Sequence, residues 1–431
     1  MKIIEGFQKA KTLLSRRTPQ RSPGNDEQEQ VVRQIVNDVR VRGDAALFDY
    51  TEKFDHVKLT RLEVDKKQIG RAYRDIDREL LAALKLAAER IAAFHTEQKK
   101  KLLRESTAAK LGWLVRPLER VGVHVPGFTA PLPSSLLMTS IPARVAGVEE
   151  VILVTPPQSN GTVSPITLAA AKIAGVDRVF SVGGAQAIAA LAFGTESIPA
   201  VDKVCGPGNI FVTLAKKMVY GVVGIDGLYG PSEVIIIADD TANAAYVAAD
   251  LLAQAEHGSL ASAIMITNSR KIADGVNREI EKQLKTLTRR AIAAESLEKQ
   301  GLIAVVSNVD EAIELANLYA PEHLCLVVAS AASYINKVRN AGCLFVGENS
   351  IEALVDYVAG PSHVLPTGGT ARFGSPLNIL DFIKLISLVK TDETDIKQLG
   401  KAASVIARAE GLDAHARAVE KRFEDKGQGG S

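Results

Sequence analysis

The stretch VILVTPPQSNGTVSPITLAAAKIAGVDRVFSVGGAQ, residues 151–186, indicates the fold more clearly than any other part of the chain. Its runs 151–155 and 179–182 are short and apolar, as buried strands are, and the alanine-rich run 166–174 has the composition of a helix. Short strands that alternate with helices are typical of βαβ units on a parallel sheet. This region therefore predicts an α/β fold.

A second series of short apolar runs follows further along the chain, with helical stretches at 244–256 and 309–318 between them. The runs of this series are 234–238, 263–267, 302–306, 324–328 and 344–346. Two such series predict two Rossmann-like domains, each built on a parallel sheet. Small helical elements are expected at both ends of the chain.

Two glycine-containing turns follow strand-like runs, at Gly183-Gly184 and at Gly206-Pro207-Gly208-Asn209. The usual dinucleotide fingerprint G-x-G-x-x-G is absent. Glycine lets a backbone approach phosphate oxygens closely, so both turns could contact a cofactor. Tight strand-to-helix turns use glycine as well, and from spacing alone this simpler interpretation is favoured.

The change of pattern along the chain predicts a domain organisation. Residues 30–103 have apolar side chains at helical spacing, and residues 17–29 have the composition of a linker. The expected parts are an N-terminal helical arm (1–20), a discontinuous first α/β domain (21–123 and 236–377), a second α/β domain (124–235) and a C-terminal helical tail (378–431). The tail could reach a neighbouring subunit.

The composition is that of an ordinary globular protein and excludes several classes. The net charge of +2 provides no basic field for nucleic acid, and no run of 18 apolar residues predicts a membrane span. The first fifteen residues lack the apolar core of a secretory signal. Cys205, Cys325 and Cys343 are too few and too scattered for a disulfide framework. We therefore expect a cytoplasmic protein with no nucleic-acid or membrane partner.

Gln254 and His257 lie three residues apart in a predicted helix, so they project from one face. A histidine beside a carboxamide oxygen could provide half of a zinc site. Taken alone, the pair is better explained by a surface or capping histidine at a helix end, before Gly258.

Glu322 and His323 precede a strand-like run, and strand ends in parallel sheets often display catalytic groups. Adjacent carboxylate and imidazole groups could act as acid and base, although such a dipeptide is common by chance. Asp356 precedes a glycine-rich loop at 365–373, which is as typical of a mobile linker as of a functional loop.

Glu410 and His415 lie in the charged C-terminal tail. A spacing of five residues puts them on different helical faces unless Gly411 interrupts the helix. An ordinary charged tail is the simpler explanation of this pattern alone.

These separate signals gain strength because they occur together and in a fixed order, from about residue 31 to residue 422. The chain resembles the histidinol dehydrogenase family in that ordered set. The matching motifs are Val125-Pro-Gly, Ala130-Pro, Pro142-Ala-Arg-Val-Ala-Gly, Gly183-Gly-Ala-Gln-Ala-Ile-Ala-Ala-Leu-Ala, Val201-Asp-Lys, Gly206-Pro-Gly-Asn, Gly230-Pro-Ser-Glu-Val, Gln254-Ala-Glu-His-Gly, Ala320-Pro-Glu-His-Leu, His363-Val-Leu-Pro-Thr-Gly-Gly-Thr-Ala-Arg-Phe and the pair Glu410 and His415.

The resemblance implies roles for matching residues. It implies one zinc ion per subunit, held by Gln254, His257, Asp356 and His415, with the last supplied by the other subunit of a homodimer. It implies Glu322 and His323 as the acid/base pair. The substrate contacts that it implies are Ser232, Gln254, His257, His323, Asp356, Glu410 and His415. The NAD contacts that it implies are His124, Gln186 and Asn209.

The activity that the resemblance implies is the oxidation of L-histidinol to L-histidine through the aldehyde, with two NAD, in the last steps of histidine biosynthesis. The family usually has Tyr where this chain has His124, and Gly where it has Phe128. These departures leave room for a relative that acts on another small polyol, sulfonated diol or amino alcohol. A non-catalytic binding protein with a structural metal is a third possibility, which the acid/base pair Glu322-His323 argues against.

Overall fold

The computed structural model describes residues 1–15, 24–127 and 131–424. Phe128 and the motif residue Ala130 lie outside the described residues. The strands are β1 (Lys2–Glu5), β2 (Leu111–Pro117), β3 (Arg120–His124), β4 (Glu150–Thr155), β5 (Arg178–Ser181), β6 (Lys203–Cys205), β7 (Gly224–Ile225), β8 (Glu233–Ala238), β9 (Ser262–Thr267), β10 (Leu302–Val305), β11 (His323–Val327), β12 (Cys343–Val346) and β13 (Ile383–Val389).

Helices alternate with most of these strands. They are α1 (Phe7–Leu14), α2 (Asp26–Arg42), α3 (Asp44–Asp55), α4 (Lys66–Asp75), α5 (Arg78–Leu102), α6 (Pro133–Ala146), α7 (Pro165–Ile173), α8 (Gly184–Phe193), α9 (Ile210–Val219), α10 (Ala244–Ala255), α11 (Arg270–Gln283), α12 (Arg290–Lys299), α13 (Val309–Tyr319), α14 (Glu352–Tyr357), α15 (Glu393–Ala409) and α16 (Asp413–Glu424). The helical interpretation of residues 30–103 is confirmed by α2 to α5.

The first sheet is parallel and has the order β5-β4-β3-β6-β7. The stretch 151–186 forms β4, α7 and β5 and then enters α8 at Gly184, so the predicted βαβ unit is confirmed. The chain starts at β3, runs outward through β4 and β5, and returns to place β6 on the other side. This reversal creates a crevice between β3 and β6 at the carboxyl ends of the strands, where α/β sheets commonly bind ligands.

The second sheet repeats this arrangement with the order β1-β10-β9-β8-β11-β12, again with parallel pairs. Every residue of β8 is buried. Val234 and Ile236 pack into one apolar cluster, and Ile235 and Ile237 pack into another. Successive strand residues point to opposite faces, so an uninterrupted apolar run is what a strand covered on both faces requires. The predicted pair of parallel sheets is confirmed.

The packing differs from the expected domain limits at the N-terminal side. Residues 2–5 form β1, an edge strand of the second sheet, within the expected helical arm. Val32 and Leu47, on α2 and α3, share an apolar cluster with Ile188 of α8 on the first sheet. The region 21–123 was expected to belong with 236–377, which holds most of the second sheet. An apolar helical stripe indicates that a face is buried but does not indicate which sheet covers it.

Residues 1–99 and 117–382 form one compact unit, which contains both parallel sheets, and residues 100–116 and 383–431 form another. The second unit contains the strand pair β2 and β13 and the adjacent helices α15 and α16. Arg408 of α15 donates two hydrogen bonds to Glu420 of α16, at 2.9 and 2.7 Å. The expected helical tail 378–431 therefore also carries a strand, and a segment from 100–116 joins it.

None of the helices in the described part of the chain is both long enough and apolar enough to span a lipid bilayer.

Asp55, at the carboxyl end of α3, has a buried carboxylate oxygen that lacks a hydrogen-bond partner among the described residues. Burial raises the pKa of Asp55 to about 6. A raised carboxyl pKa means that stability is lost as the pH rises through the folded-state value, because the folded protein must then ionise a partly desolvated group. We expect Asp55→Asn to raise the unfolding temperature at pH 8. The gain in free energy of unfolding should be no more than about 1 kcal/mol after allowance for solvent screening.

The advantage of Asp55→Asn should shrink as the pH falls below about 6 and vanish near pH 4. Scanning calorimetry of both proteins at pH 8 and pH 4 measures it. A constant advantage at both values would show that ionisation of Asp55 is not its cause.

Candidate active site

A cavity of about 700 Å³ lies in the first compact unit. It brings together residues that are far apart in sequence and that include several predicted site residues. Its lining includes Leu84, Ser135, Pro207, Tyr229, Ser232, His257, Glu322, His323, Asp356, His363 and Thr367. The predicted substrate contact Ser232 therefore lies in the same cavity as the predicted acid/base pair.

The acid/base pair is placed by two neighbouring strands of the second sheet. His323 is the first residue of β11 and pairs in register with Val234 of β8. Because β8 and β11 are parallel, their amino ends meet at one edge, and Glu322 and Glu233 come together there. The strand-end location is confirmed, and it is the amino end rather than the carboxyl end.

His323 is a buried, neutral imidazole with a defined tautomer. Its Nδ1 lies 3.2 Å from the main-chain oxygen of Glu233, and a carbonyl oxygen only accepts, so Nδ1 carries the proton. Its Nε2 is then an acceptor, and it is buried without a hydrogen-bond partner in the described part of the structure. Burial lowers the pKa of His323 to about 3, with a further contribution from His257 and His363. The ring is therefore neutral, and Nε2 is the atom at which it can accept a proton.

Two buried carboxyl groups flank this imidazole. Glu322 Oε2 lies 3.8 Å from Nδ1 of His323 and accepts a hydrogen bond from the main-chain N–H of Glu233 at 2.9 Å. Glu352 Oε1 lies 3.5 Å from the same Nδ1. Burial raises the pKa of both carboxyl groups, and repulsion by Asp356 adds to the shift of each. Both carboxyl groups are close enough to stabilise an imidazolium when they are ionised.

Two residues of the cavity lining, His257 and Asp356, belong to a group of metal-ligating atoms. His257, Glu352 and Asp356 each offer a ligand atom, and these atoms lie within 4.8 Å of one another. His257 and Asp356 are two of the expected zinc ligands. Glu352 was missed by the sequence reasoning; the available signal was its position four residues before Asp356, which puts both on one face of α14.

Gln254, the third expected ligand, lies in α10 three residues before His257. It is fully buried, and both of its side-chain polar atoms lack a hydrogen-bond partner among the described residues. A buried carboxamide with no hydrogen-bond partner lowers the stability of the fold. A bound metal ion that uses the carboxamide oxygen as a ligand would explain why Gln254 is buried there. The nitrogen and oxygen donors of Gln254, His257 and Asp356 suit zinc or a similar divalent ion.

His415 and Glu410 belong to the second compact unit and are exposed there. Glu410 is the C-cap residue that follows α15, Gly411 has a φ of +75°, and α16 begins at Asp413. The helix is therefore interrupted at Gly411. Because of this interruption, helical spacing no longer requires Glu410 and His415 to point in different directions. His415 is not one of the three residues whose ligand atoms form the cluster.

The expected NAD contacts all lie near the carboxyl ends of the first sheet. His124 ends β3, Gln186 lies in the first turn of α8 after β5, and Asn209 precedes α9 after β6. The side-chain oxygen of Asn209 accepts from the main-chain N–H groups of Phe211 and Val212, at 3.0 and 3.2 Å. Asn209 therefore caps α9, and both glycine turns are strand-to-helix turns, as the simpler interpretation held.

His124 is the group in this crevice that most clearly lacks a partner. Its Nδ1 donates to the main-chain oxygen of Pro207 at 2.8 Å, and its buried Nε2 has no hydrogen-bond partner within the described ranges. Burial lowers the pKa of His124 to about 4. Gly206 has a φ of +109°, and a Cβ there would lie 2.1 Å from the main-chain oxygen of His124. A neutral acceptor beside a close-fitting glycine turn is compatible with a dinucleotide.

His363 is a further residue that sequence reasoning quoted in a motif but gave no role. Its Nδ1 donates to the main-chain oxygen of Asp356 at 2.8 Å, and its Nε2 lies 3.2 Å from Oγ of Ser135 on α6. These contacts hold the end of α14, and with it Asp356, at the wall of the cavity. Only the folded chain brings residues 135, 356 and 363 together.

The unpaired carboxamide of Gln254 supports a prediction with two effects of opposite sign. Gln254→Met replaces it with an apolar side chain of similar length. We expect the metal-free protein to gain about 1–2 kcal/mol in free energy of unfolding, because two buried unpartnered polar atoms are removed. Zinc affinity should fall by about tenfold or more.

Thermal unfolding in chelator and competitive zinc titration measure the two effects of Gln254→Met separately. A variant that binds zinc as tightly as the original protein would remove Gln254 from the ligand set.

The sequence model of a family described as histidinol dehydrogenase matches residues 18–423. A histidinol dehydrogenase of Dehalococcoides mccartyi strain CBDB1 is 56% identical, over 98% of this chain and 100% of the relative. One from Deinococcus radiodurans is 52% identical, over 92% of this chain and 91% of the relative. The crystal structure of histidinol dehydrogenase from Elizabethkingia anophelis superposes with a TM-score of 0.92 at 37% identity, over 99% of this chain and 98% of that one.

Proposed function

We propose, from the premise that this chain belongs to the histidinol dehydrogenase family, that it catalyses the NAD-dependent, four-electron oxidation of L-histidinol to L-histidine through L-histidinal. These are the last steps of histidine biosynthesis. The observation that carries the proposal is one cavity that borders a buried base with an open acceptor atom and a cluster of nitrogen and oxygen metal ligands. Binding alone requires no such base.

The first oxidation needs a base at the hydroxyl group. Nε2 of His323 takes the hydroxyl proton as the hydride leaves the carbinol carbon, and the C–O bond becomes a carbonyl. NAD supplies the hydride acceptor when bound. Nδ1 of His323 keeps its proton against the Glu233 carbonyl, so the ring receives the new proton without turning. The nearby carboxyl groups of Glu322 and Glu352 stabilise the imidazolium that forms.

The second oxidation starts from the hydrated aldehyde. Glu322 accepts a proton from water as the water oxygen bonds to the carbonyl carbon, while His323, protonated in the first oxidation, returns its Nε2 proton to the carbonyl oxygen. The product is the geminal diol, and Nε2 can again accept a proton. A carboxyl group whose pKa burial has raised is a stronger base for this step than an exposed one. His323 then takes a proton from the diol as the second hydride leaves, which yields the carboxylic acid.

Gln254, His257 and Asp356 would hold one zinc ion per subunit, together with His415 of the partner subunit. When bound, zinc would supply a Lewis-acidic centre that could coordinate nitrogen atoms of the substrate and so orient the substrate. Ser232 lines the cavity beside this cluster and is suited to contact the amino alcohol, and Glu410 of the partner subunit would complete the substrate contacts. His124, Gln186 and Asn209 would contact NAD at the carboxyl ends of the first sheet.

A homodimer in which each C-terminal region completes the other subunit's site is part of the proposal. His415 and Glu410 are exposed, as side chains that are offered to another subunit must be. The second compact unit also exposes many large apolar side chains, which is typical of surfaces that a partner covers. They include Leu385, Ile386, Val389, Leu399, Val405 and Ile406.

A cytoplasmic location is also proposed. All three cysteines of the chain are free thiols, and Cys205 and Cys325 are buried. Free thiols are usual in reducing compartments.

The test is NADH formation from L-histidinol, followed by absorbance, with and without chelator and added zinc. Zinc-dependent formation of two NADH per histidinol is expected. Well-folded, zinc-loaded protein that produces no NADH from histidinol but produces it from another small alcohol or diol would replace the proposed substrate.

A further inference from the structure

A buried ion pair lies beneath the glycine turn that follows β6, and the proposed mechanism does not use it. Lys216 is in the second turn of α9, and Asp226 follows β7. Their side chains are only 2% and 0% exposed, and the Lys216 ammonium donates a hydrogen bond to the Asp226 carboxylate. Desolvation offsets most of the attraction in such a pair, so stability alone is a weak explanation for it.

The pair holds both polar groups of one residue in the turn. Oδ2 of Asp226 accepts from the main-chain N–H of Gly206 at 2.7 Å, and Nζ of Lys216 donates to the main-chain oxygen of Gly206 at 3.1 Å. The φ of +109° at Gly206 and the 2.1 Å that would separate a Cβ from the His124 oxygen show how closely the turn lies against β3. The ion pair thus maintains a backbone conformation that only glycine accommodates easily.

Pro207, the next residue in the turn, contacts His124. The main-chain oxygen of Pro207 accepts a hydrogen bond from His124 Nδ1 at 2.8 Å, which leaves Nε2 as the acceptor. Two residues later, Asn209 caps α9. The position of the turn therefore decides both the tautomer of His124 and the direction of the N–H groups at the start of α9.

The ammonium group of Lys216 is not itself placed to bind a phosphate. It is enclosed by Asp226, by the Gly206 oxygen and by the ring of Tyr229, whose centroid lies 4.8 Å from Nζ. Its charge is balanced by Asp226. Pro207 and Tyr229 both line the cavity of the active site, so this cluster borders the substrate side as well as the proposed cofactor side.

We propose that the Lys216–Asp226 pair is a positioning device for the dinucleotide. It fixes the turn 206–209 so that His124 Nε2 and the amino end of α9 have the correct geometry before the cofactor binds. The inference rests on the NAD site of the proposed function and adds two positioning residues that have no direct contact role.

The decisive variant is the double change Lys216→Met and Asp226→Leu, which removes both charges and leaves neither one buried and unpaired. We expect the dissociation constant for NAD, measured by calorimetry on zinc-loaded protein, to rise by about tenfold or more, because a displaced turn misplaces cofactor contacts. The KM for NAD should rise in parallel. The KM for histidinol and the zinc content should change little.

The matched control is the double change Arg178→Met and Glu63→Leu. Arg178 donates two hydrogen bonds to Glu63, each 2.9 Å, at the amino end of β5 in the same sheet. This control removes an equally well-formed ion pair at the end of the sheet away from the turn. We expect it to leave the dissociation constant for NAD unchanged.

A folded Lys216→Met, Asp226→Leu variant that binds NAD as tightly as the original protein would overturn the proposal. Should that variant not fold, Lys216→Met, which removes the donor to the Gly206 oxygen, is judged by the same dissociation constant, and an unchanged value again overturns the proposal. The binding measurement needs no substrate. Original protein that binds NAD without oxidising histidinol would contradict the proposed function and leave the test of the pair intact.

Discussion

We expect His323→Asn to lower kcat for histidinol oxidation by about 10³-fold, the usual scale of losing a general base. The change is selective because the asparagine carboxamide nitrogen can still donate to the Glu233 oxygen, as Nδ1 of His323 does at 3.2 Å. What disappears is Nε2, the buried acceptor without a partner among the described residues. Nothing else in the variant then occupies the position of the proton acceptor.

Zinc content separates this role from a role in metal binding. His323 is not among the residues whose ligand atoms form the cluster, so the variant should bind zinc like the original protein. His56→Asn is a suitable control, because His56 is exposed and has a φ of 57°, a conformation that asparagine adopts readily. The role assigned to His323 would be refuted if the His323→Asn variant lost its zinc, or if the zinc-loaded variant kept full activity.

The second large effect concerns the C-terminal region. His415→Ala should lose most of its zinc affinity and with it nearly all activity, because one of four ligands is removed. A mixture of His415→Ala and His323→Asn, dissociated and reassembled, should then regain about a quarter of the original activity, because half of randomly formed dimers are mixed and each mixed dimer has one intact site. Each variant alone stays inactive.

This recovery depends on the site being shared. If His415 served the site of its own subunit, each subunit of a mixed dimer would carry one defect, and no activity would return. Activity that reappears on mixing, together with about half of the normal zinc content in isolated mixed dimers, would support exchange of the C-terminal region. Zinc content that is normal in His415→Ala by itself would exclude His415 as a ligand.

Sequence reasoning located most of the chemistry one residue at a time. The motif order singled out His257, Asp356, Glu322 and His323, and the structure places all four in one cavity. Glu352 escaped attention because a glutamate on a short amphipathic helix has no distinctive pattern. Its importance comes from desolvation and from the 3.5 Å distance to His323, which are properties of the folded chain.

The Lys216–Asp226 pair illustrates the same limit. A lysine in a helix and an aspartate after a strand ordinarily indicate solvated charges. Asp226 lies 20 residues after Gly206 in the chain, and only the folded structure brings the two together and buries both charges of the ion pair.

Composition and periodicity are sufficient to predict the α/β class, the two parallel sheets and most of the alternation of strands and helices along the chain, because apolar runs of strand length and helical periodicity are local properties. Tertiary structure alone decided that α2 and α3 cover the first sheet and that the acid/base pair lies at the amino ends of β8 and β11. It also decided which polar groups lose water, and hence the pKa values and tautomers of His124 and His323. Burial depends on every segment that packs around a group, and those segments are distant in sequence.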